Sequence, residues 1–332
     1  MESMPLGQHK GLWIGSVCLL LIGAGSFYFL SKERGEVNHV RIGVTLTPIV
    51  SPFLIAEKLD LFEKYSLSVD LYPCVSGNAC TQLMLDHDVD YAAASESVVM
   101  FQSHEHSEIA LLVSFVESDN DLKLLTLSPN NIVSVAQLEG KRVGVIKGTA
   151  SEFYFDSVLL ANDLKELNVD KVYLEPHELV PALLSYHVEA ISAWEPMGYQ
   201  ADLLSAADVI NLGTRGIYQL SFNLLSTRPY LEFVGDEPQR LLQALNEAVL
   251  WINANPEQAQ SIIAKRLKIP VNQVKWSWPD YVFRLSLGNS LLSNLQFQTR
   301  WAKESGLVAG SSPDYREVFF PQPYLQATMR RE

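Results

Sequence analysis

The pattern that most constrains the fold of this chain is a repeated alternation of short apolar strands with helices. In a first series, predicted strands at Val40–Thr45, Ser68–Pro73 and Val89–Ala94 are each followed by a loop and a helix. A second series has predicted strands at Arg142–Ile146, Lys171–Leu174, Ala190–Ala193 and Val209–Asn211. Alternation of this kind predicts an α/β protein with mostly parallel sheets flanked by helices.

Segments between and after the two series predict two lobes joined by crossover strands. Further strands are expected at Ile109–Phe115, Lys123–Leu127 and Tyr218–Leu225, with crossovers near residues 114–127 and 217–225. The C-terminal region is predicted to be helical, including Pro238–Leu267, Tyr281–Leu295 and Gln296–Ser305. The expected domains are an anchor and linker (1–36), lobe 1 (37–125), lobe 2 (126–221) and a return to lobe 1 (222–332).

An uncharged run from Leu12 to Leu30 has the length of a membrane-spanning helix. As an α-helix it would be about 28 Å long, close to the hydrocarbon thickness of a bilayer. It could be an uncleaved anchor, a cleaved signal peptide or a lipoprotein signal at Cys18. The apolar run continues through Phe27–Phe29, beyond the small residues where cleavage would occur, and Val17 before Cys18 does not suit lipidation. The sequence therefore favours an uncleaved N-terminal transmembrane helix.

Charge and motif content argue against several functional classes. The net charge of −13 and the lack of a basic stripe disfavour a nucleic-acid partner. The sequence has no GxSxG, HExxH, P-loop or CxxC motif, and His104 and His106 alternate rather than share a helix face. We therefore expect no catalytic residues, no metal site and no cofactor.

Cys74 and Cys80 are the only cysteines outside the N-terminal run. Their number and spacing do not suit a zinc site. In an exported domain they could form a disulfide, whereas two buried free thiols are the outcome that the sequence favours.

Polar loop residues recur directly after the predicted strands. In open α/β sheets, ligands bind at the carboxyl ends of strands, where helix N-termini converge. Thr47, Ser51, Ser76, Asn78 and Ser95 all fall at such ends in the first series. Each could simply cap a helix, but their recurrence at one topological place predicts a ligand site.

The stretch from Gly140 to Pro196 predicts the opposite wall of that site. Thr149-Ala150-Ser151-Glu152 has the pattern of a capping box at the start of a helix. The strand Ala190–Ala193 then ends at Trp194 and Glu195, so an indole and a carboxylate also lie at a strand end. The indole could stack on a ring or a cation, while the carboxylate could bind an amine or its own loop.

Several segments resemble the periplasmic substrate-binding proteins of nitrate/sulfonate/taurine-type ABC transporters, a group that includes binders of thiamine pyrimidine precursors. The similar segments are RIGVTLTPIVSPFLIAEKLDLFEKYSLSVDL, VSGNACTQLMLDHDVDYAAASE, LEGKRVGVIKGTASEFYFDSVL, VYLEPHELVPALLSYHVEAISAWEP and FNLLSTRPYLE. The resemblance implies a two-lobed type II periplasmic-binding-protein-like fold that closes on its ligand by hinge motion. Carried over residue by residue, it implies ligand contacts from Thr47, Ser76, Gly77, Asn78, Ser95, Glu96, Thr149, Ala150, Ser151, Trp194 and Glu195.

The resemblance implies a non-enzymatic, monomeric solute-binding protein that serves an ABC permease and its ATPase. With the N-terminal helix retained, the chain would be a single-pass protein of the cytoplasmic membrane with its domain in the periplasm. Helix N-termini at Asn78, Ser95 and Thr149 suit a sulfonate or carboxylate, whereas Glu96 and Glu195 suit an aminopyrimidine. No arginine lies in these loops, and Lys147 is the nearest cation. A ligand-sensing module for a signalling partner, or an enzyme on the same scaffold, are the alternative functions.

Overall fold

The computed structural model describes residues 38–328, which contain two β-sheets with helices packed around them. The first sheet has six strands in the order β11-β4-β10-β3-β1-β2, and the second has five in the order β7-β6-β8-β5-β9. The strands are β1 (Asn38–Thr45), β2 (Leu67–Cys74), β3 (Tyr91–Ser95), β4 (Ile109–Ser118), β5 (Leu122–Leu127), β6 (Arg142–Val145), β7 (Asp170–Tyr173), β8 (Ala190–Trp194), β9 (Val209–Asn211), β10 (Leu220–Thr227) and β11 (Tyr281–Ser286).

Helices follow most of these strands, as the alternating pattern predicts. The α-helices are α1 (Ser51–Lys58), α2 (Leu61–Lys64), α3 (Gly77–Leu85), α4 (Glu96–Gln102), α5 (Ala150–Ala161), α6 (Leu179–Leu184), α7 (Met197–Leu204), α8 (Arg228–Phe233), α9 (Glu237–Ala254), α10 (Pro256–Leu267), α11 (Val271–Ser277), α12 (Asn289–Glu304), α13 (Tyr315–Val318) and α14 (Gln322–Thr328).

The chain passes between the two sheets twice. It leaves the first sheet at the end of β4 and enters the second at β5, and it returns between β9 and β10. Short ion pairs and hydrogen bonds tie these passages together: Arg215 contacts Asp119 and Asp280, and Asn120 Nδ2 donates to Asp280 Oδ2 at 3.0 Å. Contacts between the two passages therefore hold them together, and Asp280 of the C-terminal part is bonded to both.

The expectation of mostly parallel sheets is wrong, since both sheets are mixed. β1 pairs parallel with β3, but β10 runs antiparallel to both β3 and β4. In the second sheet, β6 pairs parallel with β7 and β8, whereas β5 is antiparallel to β8 and β9. The antiparallel pairs of β5 and β10 account for much of the difference, because each of these two strands enters its sheet from the other lobe rather than through a βαβ crossover.

The predicted helix Tyr281–Leu295 is wrong in its first half, which forms strand β11. Along β11 the exposure alternates: Tyr281 and Phe283 are buried, while Val282 and Arg284 are exposed. This period of two is the pattern of an edge strand with one face on the core. Helix α12 begins only at Asn289, after Gly288.

Cys74 and Cys80 form a disulfide that joins the end of β2 to helix α3, with a Cα–Cα distance of 5.4 Å. The expectation of two free thiols is therefore wrong. The pairing arises from tertiary geometry, because the turn at Val75 and Ser76 brings the first residues of α3 back beside the strand end.

No helix among residues 38–328 combines the length and apolarity needed to cross a bilayer. The predicted transmembrane helix Leu12–Leu30 lies outside the described residues.

The core of the first lobe lies between its sheet and helices α1 and α9, and it includes Phe53 and Phe115, whose rings meet edge to face at 4.9 Å. A second cluster packs α3, α4 and α12 on the other face of the same sheet. A third lies under α6 and α7 in the second lobe. The helices cover the faces of the sheets, so the loops at the strand ends of the two sheets face one another.

Candidate functional site in the cleft between the sheets

A cavity of about 340 Å³ lies where the strand-end loops of the two sheets meet. From the first sheet it is lined by loops after β1, β2 and β3, and from the second by loops after β6, β7 and β8. Larger depressions exist elsewhere on the surface, for example one of about 570 Å³ beside His104, but none of the strand-end loops reaches it. Convergence of loops, rather than volume, identifies the candidate site.

Most of the residues predicted from the sequence line this cavity. They are Thr47, Ser76, Gly77, Asn78, Ser95, Thr149, Ala150, Trp194 and Glu195. Ser76 and Thr149 also cap helices: Ser76 Oγ accepts from the backbone N–H of Ala79 at 3.2 Å, and Thr149 Oγ1 accepts from that of Ser151 at 3.2 Å. The capping interpretation is therefore confirmed for these two residues, and their role in binding a ligand stays a prediction.

Three predicted residues do not line the cavity. Each is buried, and its side chain forms a hydrogen bond with another part of the protein. Ser51 Oγ donates to the carbonyl of Pro48 at 2.6 Å. Ser151 Oγ donates to the carbonyl of Ser192 at 2.6 Å, which ties α5 to β8 behind the cleft wall. Glu96 is 0% exposed and accepts from the backbone N–H of Ser221 at 2.7 Å and from Gln298 Nε2 at 3.0 Å.

Glu195 lines the cavity, yet its carboxylate is held by the protein. Oε1 accepts from Trp276 Nε1 at 2.9 Å and lies 3.3 Å from Lys123 Nζ, while Oε2 accepts from the backbone N–H of Tyr199 at 3.1 Å. Gly198 permits this arrangement, because a Cβ at that position would lie 2.6 Å from Oε1. The carboxylate of Glu195 thus fixes its loop and is neutralised by a lysine.

The sequence did not predict Asp121, which also lines the cavity and is 4% exposed. Its Oδ1 accepts from Tyr281 Oη at 2.9 Å. Burial raises the pKa of Asp121 to about 7, and the nearby charge of Glu195 raises it further than Lys123 lowers it. The acidic run Glu117–Asp121 was the available signal, but a sequence pattern does not say that its last member points into the cleft.

The charged residues that line the cavity are predominantly acidic. Asp121, Glu175 and Glu195 carry carboxylates, and Lys147 is the one cation among the described lining residues. Lys147 is exposed, and its Nζ lies 5.4 Å from the centroid of the Tyr173 ring. The apolar part of the lining includes Trp194, together with Ile49, Leu122, Leu220 and Phe222.

Within residues 38–328, no cluster of three or more histidine, cysteine or carboxylate side chains has the arrangement of a metal site. The cleft offers hydroxyl groups and helix-terminal amides from both walls, together with carboxylates and the indole of Trp194.

Two α/β lobes joined by two passages, with a cavity between their strand ends, define the periplasmic-binding-protein fold. The solved structure of the periplasmic aliphatic sulphonate binding protein of Escherichia coli superposes with a TM-score of 0.74 at 21% identity, covering 85% of this chain and 92% of that protein. This likeness concerns the fold.

The chain belongs to the family described as NMT1/THI5 like, whose profile matches residues 47–259. A protein of Brucella abortus that is named as a binding protein is 24% identical over 227 residues, 65% of this chain and 67% of the relative. An aliphatic sulfonates-binding protein of Escherichia coli is 29% identical over 147 residues, 44% of this chain and 46% of the relative. The resemblance inferred from the sequence is thus confirmed, and the chain groups with binding proteins rather than with enzymes.

Proposed function

We propose that this chain is an extracytoplasmic solute-binding protein that captures a small organic molecule between its lobes and delivers it to an ABC permease and its ATPase. The observation that carries the proposal is the cavity of about 340 Å³ bounded by strand-end loops of both sheets. Family membership and the named binding function of the relatives support it. We further propose that residues 12–30 tether the protein to the cytoplasmic membrane, with the domain in the periplasm.

We infer that the ligand carries an amino-substituted aromatic ring, as an aminopyrimidine does. The acidic lining supports this class, because Asp121 offers a carboxyl whose Oδ1 already has a partner in Tyr281 and whose second oxygen can accept from a ligand amine. Trp194 and Phe222 supply aromatic faces for a ring. Lys147, the one cation among the described lining residues, is exposed, and its ammonium lies 5.4 Å from the centroid of the Tyr173 ring.

A sulfonate is the second candidate. The relatives named for sulfonates favour it, as do the helix N-termini behind Ser76 and Thr149, whose amides and dipoles attract anions. Against it stands the cost of bringing an anion close to the carboxyl of Asp121 without an arginine in the cavity lining to bind that anion.

Substitution of Asp121 by asparagine separates the two ligand classes. Aminopyrimidines and sulfonates would be titrated into the wild-type and Asp121→Asn proteins by calorimetry at pH 8, where the wild-type carboxyl is ionised in the folded state. We expect affinity for the aminopyrimidine to fall roughly tenfold or more, since a hydrogen bond to a charged acceptor is lost. A sulfonate that binds the wild-type protein, and binds the variant more tightly, would contradict the aminopyrimidine assignment.

A further inference from the structure

The two lobes also meet on the flank of the cleft, through helix α12 of the first lobe and helix α5 of the second. Trp301 on α12 donates from Nε1 to Asp156 Oδ2 on α5 at 2.9 Å. Lys165 and Glu304 form a second link at 3.4 Å, but their side chains are 65% and 68% exposed, so this ion pair contributes little. The Trp301–Asp156 hydrogen bond is the stronger polar connection, because a charged acceptor strengthens it.

An aromatic contact supports the same connection. The ring of Phe153 on α5 lies edge to face with Trp301, at a centroid distance of 5.0 Å, and with Phe297 at 5.7 Å. Phe153 is only 2% exposed, although both of these neighbours belong to the other lobe. Separation of the lobes would therefore expose Phe153 to water and break the indole hydrogen bond at once.

A chain of polar contacts leads from this flank to the cleft. Asp156 Oδ1 lies 2.7 Å from Lys171 Nζ, and the same ammonium lies 3.3 Å from Glu152 Oε1. Glu152, which is buried, accepts from the backbone N–H of Gly148 with its other oxygen at 2.9 Å. Gly148 stands between Lys147 and Thr149, which both line the cavity. Glu152, Lys171 and Asp156 thus link the backbone of this cleft loop to the indole of Trp301 through consecutive polar contacts.

We propose that Trp301, Asp156 and Phe153 form a clasp that holds the lobes together and positions the loop Lys147–Thr149 against the ligand. Trp301 is a positioning residue in this proposal, since it contacts the second lobe and not the cavity. Loss of the clasp shifts the equilibrium toward separated lobes. For a protein that binds ligand when closed, the apparent affinity falls in proportion to the closed population. Only this consequence for affinity rests on the proposed function.

The clasp can be tested on the full chain without any ligand. Spin labels are attached at Leu203→Cys in the second lobe and at Leu250→Cys in the first, both exposed positions. Pulsed electron paramagnetic resonance then measures the distance between the two labels and hence the separation of the lobes. Cys18→Ser removes the cysteine outside the disulfide. Trp301→Phe keeps an aromatic ring but removes the donor, and we expect the ratio of separated to closed molecules to rise by roughly tenfold.

Two further variants make the result specific. Asp156→Ala should raise the ratio of separated to closed molecules by a similar factor. The double variant Trp301→Phe/Asp156→Ala should raise it little more than either single substitution, because both substitutions remove the same hydrogen bond. Trp251→Phe is the matched control: it removes an indole from helix α9 within the first lobe and should leave the distances unchanged.

Unchanged distances in Trp301→Phe would overturn the clasp, as would an equal shift in Trp251→Phe, which would indicate general loosening. Additive shifts from Trp301→Phe and Asp156→Ala would also overturn it. Because the measurement uses no solute, failure to find any solute would reject the proposed function and leave the clasp standing. Conversely, tight solute binding with unaltered lobe distances in the variants would reject the clasp alone.

Discussion

Trp194 is one of the aromatic residues that line the cavity, and its backbone at the end of β8 is paired antiparallel with Leu122. Backbone hydrogen bonds of the sheet, rather than contacts of the indole, therefore hold Trp194 at the cleft. Glu195, its neighbour, has the opposite character, since its side chain makes the contacts that shape the loop.

We expect Trp194→Ala to weaken ligand binding by roughly tenfold or more, because removal of an aromatic face from a cleft costs on the order of 1–3 kcal/mol. The melting temperature should change little, as the indole is only half-buried. Calorimetric titration and a thermal melt of the same preparation check both parts. Phe233→Ala, at a position 88% exposed and outside the cavity lining, is the control. Equal affinities in wild type and Trp194→Ala would reject the site.

Glu96 gives a prediction about stability rather than binding. Burial raises the pKa of Glu96 to about 7 in the folded protein, above its ordinary value of 4.5. The folded state therefore holds more protons than the unfolded state between these values, so stability should fall as pH rises from about 4.5 to above 7. The shift corresponds to about 3 kcal/mol of unfolding free energy, as an order of magnitude.

Glu96→Gln should remove the contribution of Glu96 to the pH dependence, because an amide does not titrate, whereas Asp121, whose pKa burial also raises to about 7, keeps its own contribution. The N–H₂ group of the new amide can donate to Gln298 once the Gln298 amide turns its oxygen toward it. Urea unfolding at pH 5 and pH 8 measures the difference, with the exposed Glu105→Gln as control. A variant whose unfolding free energy still falls as steeply as that of wild type would show that Glu96 does not cause the slope.

At the scale of elements, helix α3 depends on the close approach of Gly77 to strand β3. A Cβ at position 77 would lie 3.1 Å from the Cα of Ala94, which is backbone and cannot turn aside. Ser76 caps the same helix end, so a shift of α3 would move two residues of the cavity lining together. The glycine at this position is thus required by packing and by the site.

Gly77→Ala should lower the free energy of unfolding by about 1–3 kcal/mol, the cost of overpacking a close contact. Gly288→Ala is the matched control, since its Cβ would meet no atom within 4 Å and its φ is not positive. Chemical denaturation of the two variants measures the difference. Equal losses in both would mean that the contact with Ala94 relaxes without cost.

At the scale of the whole molecule, the chain from His39 onward forms one compact unit. We expect deletion of residues 1–36 to give a soluble, monodisperse domain, because the deletion removes the apolar run 12–30, which would otherwise insert into a membrane or cause association. Gel filtration with light scattering tests this. Aggregation of the truncated protein would mean that the apolar run Leu12–Leu30 is needed to cover part of the core.

The lobe boundaries 37–125, 126–221 and 222–332 stay a prediction. Sheet membership favours an earlier first boundary, since β5 begins at Leu122 and hydrogen-bonds only within the second sheet among the described strands. Hydrophobic patterning locates strands well but does not say which sheet a strand joins, because that depends on partners distant in the chain.

The sequence by itself determined the strand–helix alternation, the class of fold, and the loops that line the cavity, because these follow from local periodicity and capping chemistry. Only the tertiary structure decided which polar residues face the cleft. Ser51, Ser151 and Glu96 turn inward to buried partners, whereas Asp121 turns toward the cavity from a passage between lobes. Ser51 bonds to Pro48, only 3 residues before it, but the partners that fix Ser151, Glu96 and Asp121 lie tens to hundreds of residues away in the chain, and a local pattern does not reveal them.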